Sequence, residues 1–162
     1  MKPMSEEAWA EVLREDGRKI FVLDDDPTGT QTVSGVDVIL KPDLDAYRAF
    51  FRSGRRAVFV LTNTRAMPAG DAERLLRTIK AEVLQAAAEA GERAAFVLRG
   101  DSTLRGHVFA EMNALFGPGS AGLFVPAFPE CGRATRDGVH YLLVGDEWVP
   151  VCETEFARDP VF

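Results

Sequence analysis

Apolar and polar residues alternate along the chain in blocks that predict strands and helices in turn. Four short apolar segments, rich in β-branched or aromatic residues, are typical of strands that are covered on both faces. They are KIFVL at 19–23, AVFVL at 57–61, AAFVL at 94–98 and GLFV at 122–125. A weaker strand is predicted at 36–40, where Asp37 indicates a sheet edge or one solvated face.

Helical periodicity fills the intervals between these strands. The clearest helix is predicted from about Asp71 to Ala90, with a stripe of apolar residues on one face. Another helix follows Asp43, a residue type preferred at helix N-caps. A third carries the apolar stripe of 108–116 and stops at Gly117, and a short stripe precedes the first strand. We interpret these stripes as faces that pack into the core.

Strands that alternate with helices predict an α/β domain. We expect a mainly parallel sheet with helices on both faces, in a Rossmann-like three-layer arrangement. After Pro126 the pattern changes, and residues 138–152 predict a C-terminal β-hairpin that turns at Gly145 and Asp146 in type II′ geometry. The length of 162 residues fits a single domain that spans 1–162.

Composition and charge narrow the functional classes. Apolar residues make up 46% and charged residues 27%, as in ordinary soluble globular proteins. A net charge of −6 argues against nucleic acid or an anionic membrane as partner. The acidic N-terminus is no signal peptide, and no apolar run approaches the roughly 20 residues that span a bilayer. Cys131 and Cys152 lack metal-ligand spacing, so we expect a cytoplasmic protein with reduced thiols.

Polar clusters follow the predicted strands. In open α/β sheets, ligands bind beyond the carboxyl ends of the strands. The clusters are DDDPTGT at 24–30, TNTR at 62–65, RGDSTLRG at 99–106, and PAFP at 126–129 with Gly132 and Arg133. In a parallel sheet, all four clusters would gather along one edge.

The mixture of carboxylates and arginines in these clusters suits a small polyhydroxylated acid. The three consecutive aspartates at 24–26 need counter-charge, because like charges raise one another's pKa. Arg65, Arg99 and Arg105 either supply that charge or hold an anionic ligand, since guanidinium groups bind carboxylates through paired hydrogen bonds. Gly106 and the helix that starts there add backbone N–H donors.

Each cluster also has a plain structural interpretation. An Asp-rich turn with Pro-Thr-Gly is often only a turn with capping side chains. The DSTLRG segment could be an N-cap, and a solvated arginine accounts for Arg65 taken alone. His107 and His140 have no partner at ligand spacing, so we interpret both as structural. The functional interpretation depends on the four clusters occurring together.

The motifs resemble those of the four-carbon acid-sugar kinases, which act on tetronates and 3-oxo-tetronates. Asp25-Asp26-Pro27-Thr28-Gly29 is similar to the family's DDxTG motif, and DSTLRG at 101–106 is the most specific element. The NTR, PAFP and TEFARDP segments follow in the family's order, so the resemblance covers about Lys19 to Pro160. Two departures are Arg99, where many members have lysine, and Cys131, where glycine is common.

The resemblance implies an ATP-dependent kinase that phosphorylates the terminal hydroxyl of threonate, erythronate or a 3-oxo-tetronate. In that family an N-terminal domain binds the acid sugar, and a C-terminal domain binds ATP and brings Mg²⁺. We therefore expect 1–162 to be a truncated substrate-binding domain that lacks kinase activity alone. A homodimer is one expected assembly.

The resemblance also implies roles for individual residues. Asp25 and Asp26 are the catalytic candidates, one of which orients and deprotonates the attacking hydroxyl. The residues implied to bind the substrate are Thr28, Gly29, Thr64, Arg65, Arg99, Asp101, Ser102, Arg105, Gly106 and Arg133. No metal ligand is predicted within this chain.

Two alternatives remain open from the sequence. Asp24-x-Asp26-Pro27-Thr28 after an apolar strand imitates the DxDxT nucleophile motif of haloacid-dehalogenase-like phosphatases, although the later acidic pair that holds Mg²⁺ is missing. The other alternative is a non-enzymatic sugar-acid-binding module or fragment, because no glycine-rich phosphate loop is visible.

Overall fold

The structure, a computed structural model, describes residues 5–29 and 33–158. Its strands are β1 at Lys19–Asp24, β2 at Asp37–Ile39, β3 at Ala57–Leu61 and β4 at Ala94–Arg99. These strands form a parallel sheet in the order β2-β3-β1-β4. The strand β1 is therefore central, and the strand that carries Asp37 lies at the predicted edge.

Four helices accompany this sheet. They are α1 at Glu6–Asp16, α2 at Leu44–Arg52, α3 at Ala69–Ala90 and α4 at Val108–Phe116. Two of them connect consecutive strands, α2 between β2 and β3 and α3 between β3 and β4. Asp43 caps α2 as predicted, because its Oδ1 accepts a hydrogen bond of 2.9 Å from the Ala46 N–H. At the end of α3, Gly91 has a φ of 66°, the left-handed conformation that glycine adopts without strain.

One hydrophobic core joins the sheet to α2, α3 and α4. The ring of Phe21, at the centre of the sheet, packs edge-on against Tyr47 at 5.9 Å and Phe50 at 5.1 Å. On the same face of the strands lie Leu23, Val58 and Val60. The helices contribute Phe51, Leu76, Ile79, Val83 and Leu115, among others. Side chains on the opposite face of the strands, such as Val22, are only half-buried.

A second, antiparallel sheet follows the parallel one. Its strands are β5 at Arg133–Arg136, β6 at Val139–Val144 and β7 at Glu147–Pro150. The predicted hairpin turn is confirmed, with Gly145 at a φ of 63° between β6 and β7. The strand β5 was not predicted. It pairs with β6 across Asp137 and Gly138, whose φ values of 51° and 78° are typical of a type I′ turn.

The predicted strand at 122–125 is wrong, because these residues form no strand. Leu123 is 93% exposed, and Phe124 and Val125 are exposed as well. Gly122 packs against α4 so closely that a Cβ there would lie 3.3 Å from Met112 Sδ. The segment is thereby held at α4 and does not pair with β4. A short apolar run becomes a strand only where a neighbouring strand supplies backbone hydrogen bonds.

The predicted α/β class is confirmed: a parallel sheet flanked by helices is followed by C-terminal antiparallel strands. Two short 3₁₀ segments, Val151–Glu153 and Glu155–Arg158, come after β7. Thr30 of the first polar cluster and residues 159–160 of the last motif lie outside the described residues. Within the described ranges, no helix has the length and apolar character that crossing a membrane requires.

Shortening a core side chain of the central sheet tests this packing. Val60 is completely buried in β3, whereas Val38 of β2 is 39% exposed. We expect Val60→Ala to lower the free energy of unfolding by about 2–3 kcal/mol, because it removes buried methyl groups and leaves a cavity. Val38→Ala is the matched control and should cost much less. Urea unfolding measures both, and equal losses would contradict the assigned core.

Candidate functional site

The carboxyl ends of three parallel strands meet at one edge of the sheet. Asp24 at the end of β1 is in register with Arg99 at the end of β4. The following loops are then joined by backbone hydrogen bonds, from Asp25 N–H to the Arg99 carbonyl at 3.2 Å and from Thr62 N–H to the Asp24 carbonyl at 2.9 Å. Arg65 N–H donates to the Asp25 carbonyl at 3.3 Å. Three of the four predicted clusters therefore lie together.

Arg65 binds two aspartates of the first cluster. Its Nε and Nη2 donate to the two carboxylate oxygens of Asp25 at 3.2 and 2.8 Å, and its Nη1 donates to Asp26 Oδ2 at 3.0 Å. The Arg65 side chain is only 12% exposed. Burial raises the pKa of Asp25, and the hydrogen bonds and charge of Arg65 oppose that rise. This pair supplies the counter-charge that the consecutive aspartates need.

Asp26 also caps the turn that follows β1. Its Oδ1 accepts hydrogen bonds from the Thr28 N–H at 2.7 Å and from the Thr28 hydroxyl. Partial burial acts to raise the pKa of Asp26, but the Thr28 hydrogen bonds and the charges of Arg65 and Arg99 together lower it. The plain interpretation of this motif as a capped turn is thus correct for one oxygen of Asp26, while the other oxygen faces Arg65.

Gly29 closes the turn over Asp24. The Asp24 side chain is completely buried, and a Cβ at Gly29 would lie 2.2 Å from Asp24 Oδ2. Burial raises the pKa of Asp24, and Arg99, whose Nη1 lies 3.4 Å from Oδ1, opposes the rise. Arg99 therefore neutralises Asp24, a carboxylate of this same domain, as one of the two roles predicted for the arginines. Any side chain larger than that of glycine would displace the Asp24 carboxylate.

The DSTLRG loop folds around Asp101. Its Oδ2 accepts hydrogen bonds from Arg105 Nε at 2.7 Å and from the Thr103 hydroxyl. Burial acts to raise the pKa of Asp101, but Arg105 and Thr103 lower it overall. Gly106, at a φ of 111°, brings the loop so close to Asp25 that a Cβ would lie 3.3 Å from Asp25 Oδ2. The glycine is required both by its conformation and by the proximity of that carboxylate.

The small antiparallel sheet anchors this loop from the other side. His140 on β6 is buried, its Nε2 lying 2.7 Å from the Ser102 carbonyl oxygen and its Nδ1 2.9 Å from Thr135 Oγ1. The Arg105 guanidinium stacks over the ring of Phe156 at 5.1 Å. His107 Nε2 lies 2.6 Å from a backbone carbonyl of the second loop. Both histidines make the structural contacts expected of them.

A cavity of about 470 Å³ lies beside these loops. Residues of β4, α4 and the segment 121–124 line it, and most of its wall is apolar. The polar residues of the wall are Asp25, Arg105, His107 and Glu111. Arg105 uses only its Nε in the loop, and its Nη1 and Nη2 make no hydrogen bond to any residue in the described ranges. These outer donors are available to a ligand.

The structure brings together most, but not all, of the predicted site residues. Hydrogen bonds and close packing link the residues around Arg65 with those around Asp101. The linked residues are Asp24, Asp25, Asp26, Thr28, Gly29, Arg99, Arg105 and Gly106. Thr64 is completely buried, its hydroxyl lies 3.1 Å from Thr62 Oγ1, and hydrogen bonding with Thr64 acts to lower the pKa of Glu111. Ser102, within the DSTLRG loop, contacts His140 through its backbone carbonyl. Arg133 lies in β5 and does not line the cavity, and its buried Nε has no hydrogen-bond partner among the described residues.

Glu111 is a site residue that the sequence analysis missed. The apolar stripe of 108–116 was predicted to pack into the core, yet Phe109 is 75% exposed and Phe116 is 44% exposed. The buried face of α4 instead carries Glu111, which is 7% exposed. The available signal was a lone acidic residue inside the apolar helix that follows DSTLRG.

Comparisons with known proteins identify one matching family and two similar kinases. Residues 20–162 match the family described as the sugar-binding N-terminal domain. A D-threonate kinase of Bordetella bronchiseptica is 40% identical over 105 residues, which is 63% of this chain and 24% of that protein. A D-erythronate kinase of Heliobacterium modesticaldum is 46% identical over 68 residues, which is 40% of this chain and 15% of that protein. The chain thus spans a quarter or less of these relatives.

Solved structures resemble the fold as well. A Bordetella bronchiseptica protein, described as a domain of unknown function, matches with a TM-score of 0.66 and 31% identity over 90% of this chain and 37% of that one. A second crystal form of it matches with a TM-score of 0.65, also at 31% identity, over 88% of this chain and 36% of that one. Both crystals hold citrate and a domain-swapped dimer.

Two glycine substitutions test the packing around the first motif. We expect Gly29→Ala to lower the free energy of unfolding by about 1–3 kcal/mol, because its Cβ would meet the buried Asp24 carboxylate. Gly100→Ala is the matched control, since its Cβ would lie 3.7 Å from Asp25 Oδ2, an ordinary contact. Denaturant unfolding of both variants checks this, and an unaffected Gly29→Ala would contradict the described turn.

Removing the Arg65 guanidinium tests the buried ion pair. We expect Arg65→Leu to cost about 3 kcal/mol at pH 7, because it leaves the Asp25 carboxylate buried without its partner. The pKa of Asp25, already raised by burial, should rise further above the unfolded value of about 3.9. The folded variant then retains a proton that the unfolded chain releases, so stability is lost as pH rises through that window. The deficit should therefore be smallest near pH 4.

Unfolding curves of the Arg65→Leu variant at pH 4 and pH 7 measure this dependence. Arg48→Leu is the control, because Arg48 pairs with Glu89 and Asp45 on the surface. Its loss of stability should be much smaller. A deficit for Arg65→Leu that is the same at both pH values would show that Asp25 is not the group responsible.

Proposed function

Because this chain belongs to the family of sugar-binding N-terminal domains, we propose that it binds a four-carbon acid sugar as the substrate domain of a kinase. Threonate and erythronate are the first candidates, since two relatives are named as kinases of these acids. A 3-oxo-tetronate is the third candidate, from the resemblance of the motifs. The citrate in the neighbouring crystal structures is itself a hydroxylated carboxylic acid, and it supports the same chemical class of ligand.

One observation carries this proposal: Arg105 and Asp25 line the same cavity. The outer nitrogens of Arg105 can donate two parallel hydrogen bonds to a carboxylate. Asp25, which is held in place by Arg65, can accept a hydrogen bond from a hydroxyl. A short acid that carries hydroxyl groups satisfies both, whereas a purely apolar ligand satisfies neither.

The arginines therefore receive different roles in the proposal. Arg105 binds the carboxylate of the acid sugar, with the backbone near Ser102 and Gly106 beside it. Arg65 orients Asp25 and Asp26, because three of its five N–H donors already bind these aspartates. Arg99 neutralises Asp24 at the base of the site. Thr64 supports the site from its buried position and does not contact the substrate.

The proposed reaction transfers the γ-phosphoryl group of ATP to the terminal hydroxyl of the acid. The hydroxyl oxygen forms a bond to phosphorus, the bond to the β-phosphate oxygen breaks, and ADP leaves. Asp25 or Asp26 accepts the hydroxyl proton. A raised pKa, as burial gives Asp25, makes a carboxylate a stronger base near neutral pH. Positioning and charge neutralisation supply most of the catalysis in such transfers.

ATP and Mg²⁺ are proposed to bind mainly through a C-terminal domain of the whole protein. Within the described residues of this chain, no group of three or more His, Cys, Asp and Glu side chains is arranged to hold a metal ion. No step is therefore assigned to Mg²⁺ in this domain. The alternative of a haloacid-dehalogenase-like phosphatase has less support, because its nucleophile would be Asp24, which is completely buried beneath Gly29.

A dimer is also proposed for this chain. The Bordetella neighbour forms a domain-swapped dimer. In this chain, Phe109, Leu123 and Val125 are more than half exposed, and apolar side chains that gather on a surface favour association.

Calorimetry with D-threonate and D-erythronate tests the proposed binding. We expect Arg105→Leu to weaken the binding of both acids by about tenfold or more, since it removes charge-assisted hydrogen bonds to the carboxylate. Arg77→Leu on the exposed face of α3 is the control and should bind like the parent chain. Circular dichroism checks that each variant folds. If the parent chain binds no tetronate at millimolar concentration, the proposal fails.

A further inference from the structure

Glu111 is a buried acid with an unused oxygen. It lies on α4, is 7% exposed and lines the cavity together with Asp25. Hydrogen bonding with the Thr64 hydroxyl acts to lower the pKa of Glu111, but Oε1 has no hydrogen-bond partner among the described residues. Buried polar atoms are almost always paired, because an unpaired one costs free energy of desolvation. An oxygen of this kind beside a cavity indicates a missing partner.

A chain of hydroxyl groups runs from the end of β1 towards this carboxyl. Thr64 Oγ1 lies 3.1 Å from Thr62 Oγ1, and Thr62 in turn donates to the Asp24 carbonyl at 2.9 Å. Thr64 is therefore tied to the end of β1, the strand that also positions Asp25, and the same Thr64 hydroxyl acts on the pKa of Glu111. The two carboxyl groups are close enough that the charge of Asp25 acts on Glu111. The loop and the helix thus present two acids to one space.

We propose that Glu111 is a further substrate-contacting residue, whose free oxygen binds one hydroxyl of a vicinal diol while Asp25 binds the neighbouring hydroxyl. This inference rests on the proposed function and names the part of the acid sugar that Glu111 recognises. The carboxylate end of the same ligand lies at Arg105, which lines the same cavity. Glu111 then determines specificity for hydroxylated acids over plain ones.

The chemistry of the pair favours a hydroxyl over other partners. Two neighbouring acids disfavour a second anion at this end of the cavity, because like charges repel. A hydroxyl group both donates and accepts, so it matches either protonation state of Glu111. Burial raises the pKa of Glu111, so its protonated form is populated at pH values closer to neutral.

Deoxy ligands distinguish this role from a structural one. The experiment measures dissociation constants by calorimetry for D-erythronate, D-threonate, 3,4-dihydroxybutanoate and 2,4-dihydroxybutanoate. Each ligand is titrated into the parent chain, Glu111→Ala and Glu111→Gln. Asn113→Ala, an exposed polar position on the same helix, is the matched control. Circular dichroism and thermal unfolding check the fold, and if Glu111→Ala does not fold, Glu111→Gln alone carries the comparison.

We expect Glu111→Ala to weaken the binding of both tetronates by about tenfold or more. One of the two deoxy acids, the one that lacks the hydroxyl bound by Glu111, should bind the parent and the variant equally. Glu111→Gln, which keeps an acceptor oxygen, should show the same ligand selectivity with a smaller loss.

Two results would overturn the inference alone. They are unchanged tetronate binding by Glu111→Ala, or an equal loss for all four acids, which would indicate a structural role. If the parent chain binds none of the four acids, the proposed function fails first and the inference fails with it.

Discussion

The ion pair between Arg65 and Asp25 is the interaction on which the site depends. It joins the loop after β1 to the loop after β3, and both groups are nearly inaccessible to water. Such a pair is stable only when its geometry satisfies the desolvated charges, and here both Asp25 oxygens are paired with two guanidinium nitrogens while the third nitrogen binds Asp26. The parallel register of the strands provides this geometry, since it places the two loops side by side.

The sequence alone was enough to predict most strands of the parallel sheet and its longest helix. Period and residue type located β1, β3, β4 and the long helix α3, because these segments are apolar enough that tertiary contacts agree with local preference. The motifs also identified the family correctly, and the carboxyl-end rule predicted that Asp25, Arg65 and Arg99 would lie at one edge. Each of these features produces a periodic pattern or a motif that can be recognised in a single sequence.

The sequence failed where the outcome depends on a neighbour. GLFV has the composition of a strand, but it packs at α4 through Gly122 and not along β4. Phe109 is exposed and Glu111 is buried, the reverse of what hydrophobicity predicts, because α4 packs into the core through the face that carries Ala114 and Leu115. The strand β5 was overlooked although Asp137-Gly138 is a strong turn signal. Hydrophobicity alone cannot reveal which face of a short helix meets a polar partner.

The contacts made by His140 and Phe156 have a consequence for how this protein can be divided. The three polar clusters that meet at the edge of the sheet all end before α4, so a boundary drawn from these clusters alone would stop near residue 117, just after α4. That fragment would retain every polar side chain of the cavity but lose the hydrogen bond to the Ser102 carbonyl and the ring beneath Arg105. A unit that keeps these contacts therefore extends to Phe156, and deletions beyond α4 would disturb the Asp101–Gly106 loop and the apolar wall at 121–124 without removing a polar side chain of the cavity.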